Sequence, residues 1–287
     1  MKIIQSPYQI QQQLIALKQA GKKIGLVPTM GNLHQGHLSL FQQLKSQCDI
    51  LVGSIFVNPM QFSAHEDLND YPRTLAEDIK KLELLNVDYL FTPTNEIIYP
   101  IGTEINTSVE VNRLSKKLCG KSRPEHFRGV TTVVNILFNI IQPNIVIFGK
   151  KDYQQYLILS AMVKDLFLPI KVIGGEIVRE ENGLAMSSRN KFLSSKEKQQ
   201  ASELRKIILH CAENINSGNR DFNKIKKQAI KKLEQQSFKV DYFEICRQED
   251  LEEAKASDHS LLIACAAWLG QPRLLDNLEL NSRIPPP

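Results

Sequence analysis

The stretch GLVPTMGNLHQGHLSL, residues 25–40, concentrates residue types that handle phosphate. An apolar run feeds a turn containing Gly31 and Gly36, and a helical pattern opens behind it. The first N–H groups of a helix have no partner inside it. Together with the positive end of the helix dipole they form an anion site. Glycine lets a phosphate approach the backbone without a Cβ clash. His34 and His37 stand at i and i+3, so they share one face of that helix.

Three other readings fit parts of this stretch. Gly31 and Gly36 have the GxxxxG spacing of a P-loop, but that loop needs Lys then Ser or Thr where the chain has His37 and Leu38. His34 and His37 could share a metal ion, although no third ligand is evident. The two imidazoles could also simply cap a turn. Farther along, GLAMSSRN at 183–190 places two hydroxyls and a guanidinium together in Met186, Ser187, Ser188 and Arg189. A guanidinium suits forked phosphate contacts. In isolation Ser-Ser-Arg reads as a solvated loop. Some 150 residues after the histidines it gains weight as a partner to them.

These side chains need a scaffold. Helix-period segments alternate with short β-branched runs, which predicts βαβ units around a parallel sheet. Candidate strands are 23–27, 50–57, 89–92, 145–148 and 170–173, and candidate helices are 8–19, 38–45, 74–85 and 131–141. Pro143 ends the last helix, because proline cannot continue the hydrogen bonding. Beyond Glu176 the composition changes. Two charged amphipathic helices, 194–216 and 221–236, precede a β-like run at 239–246, an apolar run at 260–269 and a proline tail. The expected organisation is a Rossmann-like α/β domain over 1–178 and a small α+β C-terminal lid domain over 179–283.

Composition bounds the partners. The 287 residues are 42% hydrophobic and 23% charged, which excludes a disordered or fibrous chain. There are 18 basic and 15 acidic residues up to Glu176, and 18 and 16 after it, so neither half is a basic arm. Nucleic acid is therefore not an expected partner. The lysine run 224–232 lacks interleaved aromatics and reads as a solvated helix face. Five scattered cysteines with no CxxC pair point to reduced thiols rather than a disulfide framework. Glutamines interrupt the N-terminal apolar residues, and the longest apolar stretch is about ten residues against the ~20 that a spanning helix needs. No membrane association and a cytoplasmic location are expected. His65, His210 and His259 have no motif around them and read as structural.

HxGH in this setting resembles the nucleotidyltransferase superfamily that includes class I aminoacyl-tRNA synthetases, and 186–189 is similar to its second, KMSKS-type loop. In that superfamily the histidines stabilise charge developing on ATP. Losing one such preorganised donor typically costs ~10²–10³ in rate. A tRNA synthetase proper is disfavoured, because little chain remains for an anticodon-binding domain. Further segments occur in order: SIFVNPMQF (54–62), YPR (71–73), RPEHFRG (123–129), FGKKDYQQ (148–155) and RLLDN (273–277). Together they look like the pantoate–β-alanine ligase (pantothenate synthetase) family over residues 1–280.

That resemblance implies ligation of (R)-pantoate to β-alanine through pantoyl adenylate, with ATP as co-substrate and Mg²⁺ as cofactor, in a homodimer. Met30, Gly31, Asn32, Leu33, His34, Gln35, Gly36 and His37 match an ATP segment, with His37 as proton donor and His34 beside the phosphates. Gly149, Lys150, Lys151 and Asp152 match a second ATP segment, Lys151 meeting the phosphates and Asp152 organising the metal. Val178 matches an adenine contact, and Met186, Ser187, Ser188 and Arg189 would close over the nucleotide. Gln61 and Gln155 match pantoate-binding residues, since amides offer both a donor and an acceptor. Asn58, Tyr71, Arg123 and His126 fall on the amine-substrate side. The chain departs from the family pattern at Lys150, usually Glu, and at Glu125, usually small. Lys150 could strengthen phosphate binding or face solvent, and Glu125 is expected to face away from the substrate. The alternatives are an adenylyltransferase that stops after transferring AMP and a silent nucleotide-binding protein.

Overall fold

The computed structural model describes residues 1–62, 68, 71–104 and 106–281. His65 and the proline tail lie outside the described residues. In chain order the elements are β1 (Lys2–Ile4), α1 (Pro7–Gln19), β2 (Ile24–Thr29), α2 (Gln35–Lys45), β3 (Ile50–Ile55), α3 (Leu75–Leu84) and β4 (Tyr89–Phe91). Three single-turn helices follow: α4 (Asn95–Ile98), α5 (Asn112–Ser115) and α6 (Cys119–Ser122). Then come α7 (His126–Ile141), β5 (Ile145–Gly149), α8 (Tyr153–Asp165), β6 (Lys171–Gly175), α9 (Ser195–Asn216), α10 (Phe222–Gln235), β7 (Lys239–Arg247), β8 (Ser260–Trp268) and β9 (Arg273–Asn281).

The chain divides into two units. The first holds Met1–Lys116, Arg123–Lys150 and Ile158–Glu176; the second holds Lys117–Ser122, Lys151–Leu157 and the chain from Ile177 onward. No single cut separates them. Polar contacts explain why the two short segments group with the second unit: Lys117 Nζ donates to the Asp250 carbonyl at 2.8 Å, and Tyr153 Oη to Glu279 Oε1 at 3.3 Å.

The first unit is a six-stranded parallel sheet in the order β1-β4-β3-β2-β5-β6. After β2 the chain winds outward through β3 and β4, then returns to place β5 on the other side of β2. The strand order therefore reverses between β2 and β5, where such sheets bind ligands beyond the strands' carboxyl ends. The central strands β2, β3, β4 and β5 are short and mostly buried, as parallel strands covered on both faces must be, while the edge strands β1 and β6 each bury one residue. Val27, Phe41, Leu44, Leu51, Leu82, Leu90 and Ile147 form the adjoining core.

Two helices differ from expectation. α7 begins at His126 rather than residue 131, because Gly129 belongs inside it. A Cβ there would run into the Met60 carbonyl and come within 2.7 Å of Gln61 N, so only glycine lets the helix lie against the Pro59–Gln61 turn. α2 begins at Gln35, three residues before the apolar pattern shows it. The patterning gives no sign of β1, α8 or β9, β1 being only three residues long.

In the second unit, α9 and α10 pack on the antiparallel sheet β7-β8-β9. Ser194 and Glu197 make a capping box at the start of α9, and Asp221 caps α10. On β9, Leu274 and Leu280 join the core shared with α9, while Arg273 and Glu279 alternate to the opposite face. The Lys224–Lys232 run sits on α10, which buries Phe222, Ile225, Ala229 and Leu233.

Candidate active site

Leaving β2, the chain turns at Gly31 with φ +83° and Asn32 with φ +50°, both left-handed. A Cβ on Gly31 would also lie 3.1 Å from Ile55 and 3.2 Å from Asp78. The turn is held by Asp78, a fully buried carboxylate on α3. It accepts the backbone N–H groups of Asn32 and Leu33, both at 2.8 Å, and the Thr74 hydroxyl at 3.1 Å. Lys81, one turn along α3, donates to the Leu33 carbonyl at 2.7 Å. Both polar groups of Leu33 are thus fixed from one helix. Sequence reasoning misses Asp78 and Lys81, which look like ordinary charges on a surface helix. The only signal is an acid placed where the amphipathic pattern calls for an apolar residue.

His34 is the N-cap of α2. Its Nδ1 accepts the Gly36 N–H at 3.1 Å, and His37 Nδ1 lies 3.4 Å from the His34 N–H. The ring centroids are 4.1 Å apart. These bonds fix the tautomer. With Nδ1 accepting, the proton of each neutral ring sits on Nε2, which becomes the donor. The histidines therefore do cap a turn, and capping is what sets their donor nitrogens. Both lie at the reversal point of the sheet, with Gly149 and Lys150 at the end of β5. Lys150 pairs with Glu176 at 3.1 Å.

A second cluster in the first unit centres on Gln61. Buried Asn58 donates to Gln61 Oε1 at 3.1 Å and to the Gly129 carbonyl at 3.0 Å. Its own oxygen accepts from Met60 N at 3.3 Å and from Tyr99 Oη at 2.6 Å. All four positions of that amide are engaged within the protein, and one of them holds the Gln61 side chain. Gln61 Nε2 approaches Met30 Sδ at 3.0 Å, which ties it to the histidine turn. Arg123 donates to the Gln61 carbonyl at 3.3 Å, and His126 Nδ1 lies 2.8 Å from the same oxygen. Met30, Gln61, Arg123 and His126 are thus brought together. Tyr71 is buried edge-on to Phe62, at 5.8 Å between rings. Glu125 is turned to solvent, 70% exposed, and pairs with Arg128 at 2.9 Å.

In the second unit, Lys151 and Asp152 sit in a single 3₁₀ turn, Lys151 Nζ 3.8 Å from the Asp152 carboxylate. Gln155 is half-buried in the first turn of α8. Its neighbour Gln154 is buried and spans Cys119 N at 3.0 Å and the Lys117 carbonyl at 2.6 Å. The Val178 carbonyl accepts Met186 N at 3.0 Å, closing a small hairpin. Ser187 then caps the turn Ser188–Phe192 by accepting from Arg189 N at 3.2 Å. Among the described residues no three His, Cys, Asp or Glu side chains group to hold a metal ion.

The family model for pantoate–β-alanine ligase matches residues 2–279. The chain belongs to that family. Pantothenate synthetase of Shewanella loihica is 51% identical over 272 residues, covering 95% of this chain and 96% of that one. The Hahella chejuensis enzyme is 49% identical over 261 residues, covering 91% and 92%. Among solved structures, a Thermus thermophilus pantothenate synthetase is 37% identical with a TM-score of 0.91, covering 97% of this chain and 99% of its own. The Francisella tularensis ligase, complexed with β,γ-ATP and β-alanine, is 36% identical with a TM-score of 0.79 and covers 97% of each chain. Membership makes the chain an enzyme, a ligase.

Other features of this ligase stand apart from these clusters. All five cysteines are free thiols. His210 lies 4.0 Å from Glu213 on an exposed part of α9, and His259 is exposed. Among the described residues no helix is long and apolar enough to cross a membrane.

Proposed function

We propose that the protein joins (R)-pantoate to β-alanine in two steps at the expense of ATP. The pantoate carboxylate attacks the α-phosphate, forming pantoyl adenylate and releasing pyrophosphate. The β-alanine amine then attacks the acyl carbon, releasing AMP and forming the amide bond of pantothenate. Alignment of bound reactants can supply roughly 7–11 kcal/mol of such a barrier.

The observation that carries this reading is the paired imidazole cap, with both Nδ1 atoms on backbone amides at the N-terminus of α2. Preset Nε2 donors and a helix N-terminus stabilise negative charge developing on a phosphate. In this reading His37 and His34 act on the α-phosphate side, with Met30–Gly36 and Gly149–Lys150 lining the nucleotide. Lys151 and Arg189 supply cations, Met186–Ser188 closes the nucleotide segment, and Val178 meets adenine through its backbone. Gln61 and Gln155 hold pantoate. Tyr71, Arg123 and His126 serve the amine side, the last two by fixing the Gln61 backbone.

The Asp152 carboxylate is 49% exposed, which suits a Mg²⁺ ion that keeps its waters and phosphate ligands and takes one protein carboxylate. Such an ion would offset charge on the triphosphate. In this reading the protein works in the cytoplasm as a homodimer, for which light scattering is the test. The chemical test is pantoate-dependent ATP–pyrophosphate exchange in the absence of β-alanine. Exchange that needs pantoate supports the adenylate, and exchange indifferent to pantoate removes it.

A further inference from the structure

Adjacent residues of β9 reach both nucleotide segments assigned to the second unit. Asp276 and Asn277 are 4% and 5% exposed. Successive side chains of a strand point to opposite faces. Asp276 therefore lies on the α9 face and Asn277 on the face shared with Arg273 and Glu279. Asn277 Nδ2 donates to the Lys151 carbonyl at 2.9 Å. The Asp276 carboxylate takes a two-pronged bond from Arg179, at 2.8 and 2.9 Å.

Arg179 in turn organises the hairpin that ends in Met186–Arg189. Its guanidinium donates to the Gly183 carbonyl at 3.0 Å, and its backbone pairs with Ala185. Glu180 N donates to the Leu184 carbonyl at 2.8 Å, and Asn190 Nδ2 ties Glu180 to the Ala185 carbonyl. The strand is anchored in its turn: Asn277 N donates to Asp276 Oδ1 at 2.7 Å, and Arg205 on α9 donates to the Asn277 carbonyl at 3.3 Å.

We propose that Asp276 and Asn277 are positioning residues for ATP, Asn277 setting the backbone of Lys151 and Asp276, through Arg179, setting the Met186–Arg189 segment. The proposal rests on the assignment of both segments to ATP made above. Its physical content is that a hydrogen-bonded strand of the sheet fixes two otherwise irregular segments in one frame. A buried forked ion pair and a buried amide bond resist reorientation better than exposed ones. Neither residue needs to touch the nucleotide.

The test uses the full-length protein and the variants Asn277→Ser and Arg179→Lys. The first shortens the side chain so that it no longer reaches the Lys151 carbonyl, without adding bulk; the second keeps the charge and loses the fork. Binding of Mg·ATP is read by titration calorimetry, and KM values for ATP and β-alanine by steady-state kinetics. The expected result is a rise of about tenfold in the ATP dissociation constant and in KM for ATP, with KM for β-alanine unchanged. A merely structural role would reduce the folded fraction, which lowers turnover and leaves both KM values alone. ATP constants equal to wild type in folded variants overturn the proposal. If Asn277→Ser does not fold, Arg179→Lys decides by the same readings, and failure of both to fold assigns the pair to folding and overturns the proposal. If the wild type binds ATP but shows no pantoate-dependent exchange, the reaction assignment fails while the binding arm still decides this one.

Discussion

Asp78 Oδ1 accepts the Leu33 N–H at 2.8 Å, inside a site where the carboxylate has no solvent exposure. A buried charge persists only where hydrogen bonds replace its water. Here those bonds come from the turn that leads to His34 and from Thr74 at the start of its own helix. Folding of that turn and burial of Asp78 are one event.

Asp78→Ala should accordingly remove the acceptor of the buried Leu33 N–H and that of the half-buried Asn32 N–H. Each lost charge-assisted bond is worth about 1.5–3 kcal/mol. A marked fall in the melting temperature and a rise in KM for ATP of tenfold or more are expected. Calorimetry and steady-state kinetics check this, and a variant with wild-type KM for ATP would show that the turn holds itself.

The two roles of His34 can be separated. Asparagine is a good N-cap but has no Nε2 donor. His34→Asn should keep the melting temperature within a few degrees while cutting adenylate formation by about 10²–10³. His37→Ala should cut it as strongly. Retained exchange in either folded variant would reduce the histidines to capping residues.

Much of this architecture is legible in the amino-acid sequence. The parallel sheet follows from alternating helical and β-branched patterns, and Met30–His37 stands out through glycines and spaced histidines. α2 begins earlier than its apolar pattern because histidine is not among the usual capping residues, so the cap gives no signal. α7 extends back through Gly129, where the need for glycine comes from a turn almost seventy residues away. Asp78, and the bonds by which Asn58 holds Gln61 and its turn, elude sequence reasoning for a related reason. Their significance lies in which backbone groups they face, and nothing local to them reports it.

Gly129→Ala gives the sharpest steric test. The added Cβ would strike the Met60 carbonyl and displace the turn that carries Gln61. Loss of stability of about 1–3 kcal/mol is expected, with KM for pantoate raised more than KM for ATP. Equal effects on both substrates would argue against Gln61 as a pantoate contact.

The thiols set an alkaline limit. Burial pushes Cys48 and Cys211 up to about 11 and Cys246 up to about 12, from an ordinary 9.0. A raised value favours the neutral thiol in the fold. That stabilisation is complete below pH 9.0 and is lost as pH climbs towards 11 to 12. Denaturant midpoints measured across this window should fall steadily, and less steeply in Cys246→Ala. A flat profile would contradict the burial of these groups.

The central claim is that one protein uses ATP to join two small molecules. Release of AMP from Mg·ATP, with pantoate and β-alanine added singly and together, tests it most directly. AMP is expected in quantity only when both are present, with an equal amount of pantothenate. AMP formed at the same rate without β-alanine, or no AMP from folded protein given both substrates, would contradict it.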